Sequence, residues 1–187
     1  MNIIQLTGGR KGFHCLLFVL EKIRKISSGK EKGGAMPNTS ARRAHAEDLP
    51  AILDLLADDV LGRERENIGP PPHPDYLDAF QAISDDPNQF LAVFEVDGEI
   101  AGCLQLSFIP SLSRQGAWRG QIESVRISSG MRGAGLGREM ITWAVDMCRE
   151  RGCRLVQLAS DKTRREAAEF YRSLGFVASH EGFKRSI

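Results

Sequence analysis

Three features of the sequence predict a mixed α/β fold, in which helices flank one central, mostly antiparallel sheet. Strand-like runs joined by a hairpin signal occupy the middle of the chain, and a helix–strand–helix segment follows them. Hairpin strands are antiparallel, whereas a strand–helix–strand connection returns in parallel, so both kinds of pairing are expected. The third feature is a glycine-rich turn between the last long strand and the helix after it. The predicted order is β-α-α-β-β-β-loop-α-β-α-β.

The composition is typical of one folded domain. The chain has 187 residues, of which 42% are hydrophobic and 26% are charged. These values suit a soluble protein with a buried core, and they argue against disorder, collagen or a disulfide scaffold. The 25 basic and 24 acidic residues leave almost no net charge. We therefore expect no nucleic-acid partner.

The first 39 residues differ from the rest of the chain. Residues 1–35 carry seven Lys/Arg and only two Asp/Glu. We expect residues 1–39 to be a basic extension, flexible or not native, with Met36 as an alternative start. The apolar run Phe13–Leu20 is too short for a membrane span, which needs about 20 residues. No membrane partner is therefore expected, although a short basic amphipathic helix is the competing interpretation. The folded domain should cover residues 40–187.

The cysteines and histidines do not form a metal-binding pattern. No CxxC pair occurs among the four cysteines, and no HExxH group occurs among the histidines. Metal sites need closely spaced ligand pairs, so no metal is expected. Free thiols are typical of a reducing compartment, which predicts a cytoplasmic location. The cysteines are Cys15, Cys103, Cys148 and Cys153.

The first part of the domain predicts one strand and two helices. Ala41–Ala44 is strand-like, and Glu47–Pro50 then opens a helix that should end at Gly62. Apolar side chains recur at helical spacing in this helix, at Ile52, Leu53, Leu55, Leu56 and Val60. Asn67–Pro74 contains four prolines and is predicted to be a loop. A second helix is expected over Asp75–Asp86, with Tyr76, Leu77, Phe80 and Ile83 on one face.

The rest of the domain predicts the sheet and its later helices. The three long strands are Phe90–Val96, Ile100–Ile109 and Trp118–Ile127. Asp97 and Gly98 are typical of a two-residue hairpin turn between the first two. The later elements are a helix over Leu136–Arg149, a strand over Arg154–Ala159, a helix over Thr163–Leu174 and final strands starting at Phe176–Ala178.

The glycine-rich turn lies in Ser128–Gly137, between a strand and a helix. Gly133, Gly135 and Gly137 allow a tight curve that presents bare N–H groups at a helix N-terminus, a geometry that binds phosphate. No Lys-Ser/Thr pair of a P-loop follows, and the Gly-x-Gly-x-Gly spacing differs from the GxGxxG dinucleotide fingerprint. A purely structural strand–helix connection is the alternative interpretation.

Two segments together carry a family resemblance. In the first, Arg132, Gly135 and Gly137 fit the pattern (Gln/Arg)-x-x-Gly-x-(Gly/Ala), and the second is Ala167–Phe176. They resemble the acyl-CoA pyrophosphate loop and the second signature of the GNAT superfamily of N-acetyltransferases. The resemblance covers roughly residues 40–187. It implies a GNAT-like acyl-CoA N-acyltransferase fold, and it implies acetyl transfer from acetyl-CoA to an amine by direct attack in a ternary complex.

The resemblance also implies which residues bind acetyl-CoA. The strand Ile122–Ile127 should separate from its neighbour, so that its free backbone groups can pair with the pantetheine chain and polarise the thioester carbonyl. The glycine-rich turn should hold the pyrophosphate. The cofactor-binding residues expected on this basis are Val125, Arg126, Ile127, Arg132, Gly133, Ala134, Gly135, Leu136, Gly137 and Arg138.

Two proton transfers need side chains. Glu123 is the candidate base that deprotonates the amine, directly or through water. It lies two residues before Val125, so an unbroken strand would put both side chains, and Gln121, on one face. The alternative is a strand carboxylate paired with Arg126 or another surface cation. Tyr171 is the candidate acid for the departing thiolate, by resemblance to the second signature; the alternative is a core residue.

One departure from the family pattern and several open questions remain. Arg164 stands seven residues before Tyr171, where many members carry an Asn that contacts the cofactor. The acceptor is a small-molecule or peptide amine, and homodimerisation is left open. The resemblance places the acceptor pocket near the first two helices, their loop and the last strands. The candidate residues there are Asp58, Asp59, Arg63, Glu64, Arg65, Tyr76, Trp118 and His180, with Arg114 and Arg119 as carboxylate binders. The alternative functions are a non-catalytic acyl-CoA sensor, a transferase for a longer acyl group, and a protein–protein scaffold.

Overall fold

A computed structural model of the protein describes residues 38–187, apart from the side chains of residues 60 and 61. Its centre is one sheet of five strands in the order β1-β2-β3-β4-β5. The strands are β1 (Thr39–Arg43), β2 (Gln89–Val96), β3 (Glu99–Ile109), β4 (Arg119–Ile127) and β5 (Leu155–Leu158). The first four strands pair antiparallel, and β5 joins β4 in parallel. The predicted mixed, mostly antiparallel sheet is therefore confirmed.

Residues 38–187 form five α-helices with regular backbone angles: α1 (Leu49–Ala57), α2 (Val60–Arg63), α3 (Pro74–Asp85), α4 (Leu136–Glu150) and α5 (Arg165–Ser173). A further short helical turn, Ser113–Gly116, contains two residues with positive φ. The prediction of a single helix running to Gly62 is wrong. The carboxylate of Asp59 accepts a hydrogen bond of 2.6 Å from the N–H of Gly62, which starts α2 as a separate helix. Within residues 38–187, no helix is both long and apolar enough to cross a membrane.

The larger hydrophobic core lies between the sheet and α4. Five residues of α4 are buried there: Leu136, Met140, Ile141, Ala144 and Cys148. They pack against strand residues that alternate along β2 and β3, including Phe94, Leu104 and Leu106. The ring of Trp143 lies 5.3 Å from that of Phe94 and almost perpendicular to it. This side of the sheet is therefore well filled.

The smaller core lies on the opposite side of the sheet, beneath α1 and α3. Ile52 and Leu55 of α1 are buried against Val93 and Cys103 of the sheet. Helix α3 contributes only half-buried side chains, and none of its residues is buried. This difference in packing matters for the site described below.

The chain after α5 differs from the prediction. Final strands were expected from Phe176–Ala178, but no strand follows β5 in the described part of the chain. Gly175 has a φ of +87°, and the N–H of Phe176 donates to the carbonyl oxygen of Tyr171 at 3.1 Å. The backbone of Phe176 thus closes the C-terminus of α5 and is not free to join a sheet. The predicted extension over residues 1–39 falls almost wholly outside the described residues.

Candidate active site

The parallel pairing of β4 with β5 stops halfway along β4. Residues Arg119–Ile122 pair with Leu155–Leu158, and the rest of β4 runs on past the end of β5. The N–H of Ser128 donates to the carbonyl oxygen of Ala101 at 2.9 Å. Because backbone groups alternate in direction along a regular strand, the N–H and carbonyl of Ile127 and the carbonyl of Val125 point away from β3, into the gap beyond the end of β5. The structure thus opens one edge of β4 where the sequence predicts it.

Side chains hold the two carbonyl groups on this edge. The carbonyl oxygen of Val125 accepts a hydrogen bond of 3.0 Å from Nη1 of Arg126. That of Ile127 accepts one of 3.2 Å from Nε of Arg132. The N–H of Ile127 is left facing the gap, where it can donate to a ligand.

A β-bulge at Ser124 changes which residues of β4 share a face. Cys103 lies opposite Arg126 and Gln105 lies opposite Glu123, so β4 has one more residue than β3 over this stretch. Ser124 has a φ of +53°. The prediction that Glu123 and Val125 share a face is therefore wrong. Glu123 leaves the sheet on the α1 and α3 side, whereas Val125 packs against the core under α4.

The carboxylate of Glu123 is solvent-exposed and makes no hydrogen bond or ion pair with any residue of the described part of the chain. The alternative, an ion pair with Arg126, is not found. The guanidinium of Arg126 bonds to its own strand, and its Nε lies 3.9 Å from Oδ2 of Asp59. Glu123 is thus chemically available to accept a proton.

The glycine-rich turn forms an open cradle at the N-terminus of α4. Gly133 and Gly135 have φ values of +81° and +94°, which non-glycine residues rarely adopt. A Cβ atom at either position would meet no atom within 4 Å, and no side chain caps the helix. The first N–H groups of α4 therefore face open space. This arrangement fits a pyrophosphate group, which needs close backbone approach and unpaired donors.

Gly137 has a different role from the other two glycines. A Cβ atom there would lie 2.9 Å from Cδ1 of Ile127 and 3.3 Å from Cζ of Phe170. Both distances are too short for an ordinary contact, so a larger residue would push α4 away from β4 and α5. Gly137 therefore allows the three elements around the gap to pack closely. Nη2 of Arg138 contacts Oγ of Ser173 at 3.4 Å and further joins α4 to α5.

Asp58, at the C-terminal end of α1, holds the turn in place. Nη2 of Arg132 donates to the carbonyl oxygen of Asp58 at 2.7 Å and to its Oδ2 at 3.0 Å. The N–H of Ser129 donates to the same carboxylate oxygen at 2.7 Å. Arg132, predicted as a cofactor ligand, thus also fixes the turn to α1. No local pattern in the sequence points to this pairing, because the two residues are 74 positions apart.

Asp59 joins three elements around the gap. Its carboxylate lies 3.9 Å from Nε of Arg126 on β4 and 3.9 Å from Nη2 of Arg164, directly before α5. Partial burial raises the pKa of Asp59, but the hydrogen bond from Gly62 and the charges of the arginines outweigh it and hold the pKa below its usual value. Arg164, which replaces the family's Asn, therefore pairs with an acid of this chain.

Tyr171 is half-buried in α5, between the rings of Phe170 and Phe176. Burial raises the pKa of its hydroxyl, and the positive charges of Arg164 and Arg126 only partly oppose this. The phenol is therefore protonated at neutral pH and can donate a proton. Its hydroxyl makes no hydrogen bond within residues 38–187. Tyr171 packs on the α4 side of the sheet, opposite to the side on which Glu123 emerges.

The other predicted pocket residues do not share a single pocket: Asp58 and Arg63 line one open pocket, and Tyr76 lines another. Asp58 and Asp59 are engaged by arginines, as described above. The hydroxyl of Tyr76 donates to Oε2 of Glu66 at 2.8 Å, and His180 bonds only to the neighbouring Ser179. A cleft of about 140 Å³ lies between the sheet and the first two predicted helices, now α1 and α3, and Tyr76 is one of the residues that line it. Its polar end is formed by Gln105 and Ser124.

Comparison with known proteins identifies the family. Residues 50–176 match the model of the acetyltransferase (GNAT) family. The chain is 27% identical to the aminoalkylphosphonate N-acetyltransferase of Salmonella typhimurium, over 84% of this chain and 97% of that protein. It is 38% identical to the glucosamine 6-phosphate N-acetyltransferase of Trypanosoma brucei brucei, over 45% of this chain and 54% of that protein.

Among solved structures, one described as a transcriptional regulator from Bacillus halodurans superimposes with a TM-score of 0.78. The two sequences are 45% identical, and the match covers 80% of this chain and 100% of the Bacillus halodurans chain. The fold, the open edge of β4 and the glycine-rich turn agree with the family match. The chain belongs to the acetyltransferase (GNAT) family and is an acyltransferase.

Proposed function

We propose that this protein transfers the acetyl group of acetyl-CoA to a primary amine of a small molecule or peptide, by direct attack in a ternary complex. The observation that carries the proposal is the gap beside β4. Its open backbone edge lies next to the glycine-rich cradle, with the unpaired Glu123 on one face of the sheet and the protonated Tyr171 on the other.

The chain's own residues suit acetyl-CoA, which supplies the activated acyl group. The N–H groups at the start of α4 can donate to the pyrophosphate, where the positive end of the helix dipole also favours anions. The N–H of Ile127 can donate to the pantetheine chain or to the thioester oxygen. The residues proposed to bind the cofactor are those predicted from the sequence, Val125–Ile127 and Arg132–Arg138.

The acid–base chemistry follows from the two side chains at the gap. An ammonium group cannot attack, so Glu123 accepts one of its protons, directly or through a water molecule. The nitrogen then forms a bond to the acyl carbon, and the carbon–sulfur bond breaks. Tyr171 gives its proton to the departing sulfur and regains one from the substituted nitrogen. The products are an amide, free CoA and one proton released to solvent.

Calorimetric titration with acetyl-CoA and with CoA, followed by turnover with a panel of amines, tests this proposal. We expect one-to-one binding and release of CoA above the background rate. No binding at high micromolar cofactor would mean that the glycine-rich turn has only a structural role. Propionyl-CoA and butyryl-CoA in the same assay test the alternative of a longer acyl group.

A second candidate function is a non-catalytic acyl-CoA sensor. The observation that favours it is the description of the 45% identical structure as a transcriptional regulator. The same experiment separates the two functions. A sensor binds acetyl-CoA but releases no CoA with any amine, whereas an N-acetyltransferase does both.

A further inference from the structure

The cleft between α1, α3 and the sheet has almost entirely apolar walls. Leu49, Ile52 and Leu56 of α1 form one side, and Ala79 and Phe80 of α3 form the other. No residue that lines the cleft carries a charge at neutral pH. Burial raises the pKa of Cys103 on its floor to about 12, so this thiol is neutral as well. The cleft therefore suits an uncharged apolar group and offers nothing to pair with a phosphate or carboxylate.

Helix α3 covers this cleft without filling it. Phe80 and Ile83 face the sheet but stay half-buried, and no residue of α3 is fully buried. Folded proteins normally pack such apolar faces closely, because each unfilled space loses hydrophobic and dispersion energy. A ligand in the cleft would supply the missing contacts for both helices.

The cleft leads to the proposed base. Its polar end is formed by Gln105 on β3 and Ser124 at the bulge of β4. Gln105 lies directly opposite Glu123 in the sheet, so both side chains leave on the same face. An amine whose body lies in the cleft can therefore place its nitrogen beside the unpaired carboxylate of Glu123, next to the gap.

The volume of the cleft limits the size of the group that it can hold. The cleft measures about 140 Å³, and an apolar cavity of about 150 Å³ takes up a benzene molecule. We propose that the acceptor is a primary amine with an uncharged apolar body of the size of a phenyl ring, which binds between α1 and α3. This inference rests on the proposed function and names the class of its substrate.

On this inference, the preferred substrate of this protein differs from those named for its relatives. Aminoalkylphosphonates and glucosamine 6-phosphate each carry an anionic group that a charge-free cleft does not recognise. We therefore expect kcat/KM for 2-phenylethylamine to exceed the values for 2-aminoethylphosphonate and for glucosamine 6-phosphate by at least about tenfold. The assay measures CoA release from acetyl-CoA by the full chain.

A pair of variants on α3 tests where the amine binds. Both Ala79 and Ala82, one turn further along the same helix, are exposed, but only Ala79 lines the cleft. We expect Ala79→Phe to fill the cleft and raise KM for 2-phenylethylamine about tenfold, with an unchanged Kd for CoA. Ala82→Phe should leave both values within about twofold. Thermal unfolding of the two variants checks that each is folded.

Direct binding distinguishes failure of this inference from failure of the proposed function. Calorimetry follows 2-phenylethylamine as it binds to the CoA-saturated protein, in wild type and both variants. Binding that only Ala79→Phe weakens supports the cleft even if no amine is acetylated, in which case the proposed function alone is wrong. Acetylation of 2-aminoethylphosphonate or glucosamine 6-phosphate as efficiently as 2-phenylethylamine, with no effect of Ala79→Phe, would overturn the cleft assignment and leave the proposed function standing.

Discussion

The two sides of the sheet differ in how completely they are packed. On one side, α4 buries five residues in a continuous core that includes strands β2, β3 and β4. On the other side, α1 also buries five residues, but α3 buries none, and a cleft remains between the two helices. The close-packed side holds the glycine-rich turn and Tyr171 in fixed positions, as cofactor binding requires. The loosely packed side has room for a second, smaller ligand.

Gly120 on β4 shows how closely the first side is packed. A Cβ atom there would collide with the buried side chain of Cys148 on α4. The opposite face of the same strand carries the exposed Glu123 only three residues later. One face of β4 therefore packs against α4, and the other face carries the proposed base for the acceptor. The four predictions below test this division, from the largest expected effect to the smallest.

Gly135→Asp should weaken the binding of CoA. The added carboxylate stands where phosphates are proposed to bind, so Kd for CoA should rise more than about 1000-fold, or about 4 kcal/mol. Gly152→Asp is the matched control, because Gly152 also has a positive φ, +78°, and lies at the other end of α4. Calorimetric titration of both variants distinguishes the effect of a negative charge at the turn from the effect of a strained backbone. Unchanged affinity of Gly135→Asp would refute the proposed role of the turn.

Glu123→Gln should impair the reaction with the amine without affecting the binding of acetyl-CoA. Loss of the base should lower kcat/KM for the amine about 100-fold. The Kd for acetyl-CoA should stay within about twofold, because Glu123 contacts no part of the cradle. Its carboxylate has no partner in the described chain, so the thermal midpoint should not change. Glu99→Gln, at another exposed strand carboxylate, is the control, and equal rates in the two variants would exclude Glu123 as the base.

Tyr171→Phe keeps the packed ring and removes only the hydroxyl. We expect kcat to fall at least about tenfold, with little change in KM. Because burial raises the pKa of Tyr171 above 10.0, the wild-type phenol stays protonated through the neutral range. Its ionisation should therefore cause no loss of rate below about pH 10. A rate within about twofold of wild type, or about 0.4 kcal/mol, would show that Tyr171 is not the acid.

Asp58→Asn should loosen the connection between the two sides. Asp58 on α1 accepts hydrogen bonds from Arg132 and Ser129, which fix the turn. Its partners are exposed, so the effect should be small, with Kd for CoA rising about threefold. Asp54→Asn, one turn earlier in α1, makes no such contact and should leave Kd unchanged. Equal affinities in both variants would mean that the turn keeps its shape without Asp58.

Local signals in the sequence predicted much of the fold. Asp97 and Gly98 have φ values of +53° and +90°, as the predicted hairpin turn requires. The apolar stripes of α1 and α4 and the glycine at the start of α4 were also visible from their spacing. Each of these features depends on residues close together in the chain.

The features that could not be predicted depend on contacts between distant residues. The bulge at Ser124 exists only in the register between β3 and β4, so the faces of Glu123 and Val125 could not be counted from the sequence. The end of α1 depends on the carboxylate of Asp59, which also contacts Arg126 and Arg164 far along the chain. The cleft arises from how α3 sits over the sheet, which no single segment determines.

The bulge at Ser124 also determines which changes in chain length the strand can tolerate. A strand of the same sequence with regular alternation in place of the bulge would send either Glu123 into the hydrophobic interior or Val125 and Ile127 into water. Deleting Ser124 would make Glu123 and Val125 consecutive residues, which a regular strand places on opposite faces, so both side chains would keep their present sides. A change of one residue in chain length should therefore be tolerated better at the bulge than elsewhere in β4, where it would reverse the faces of the side chains beyond it.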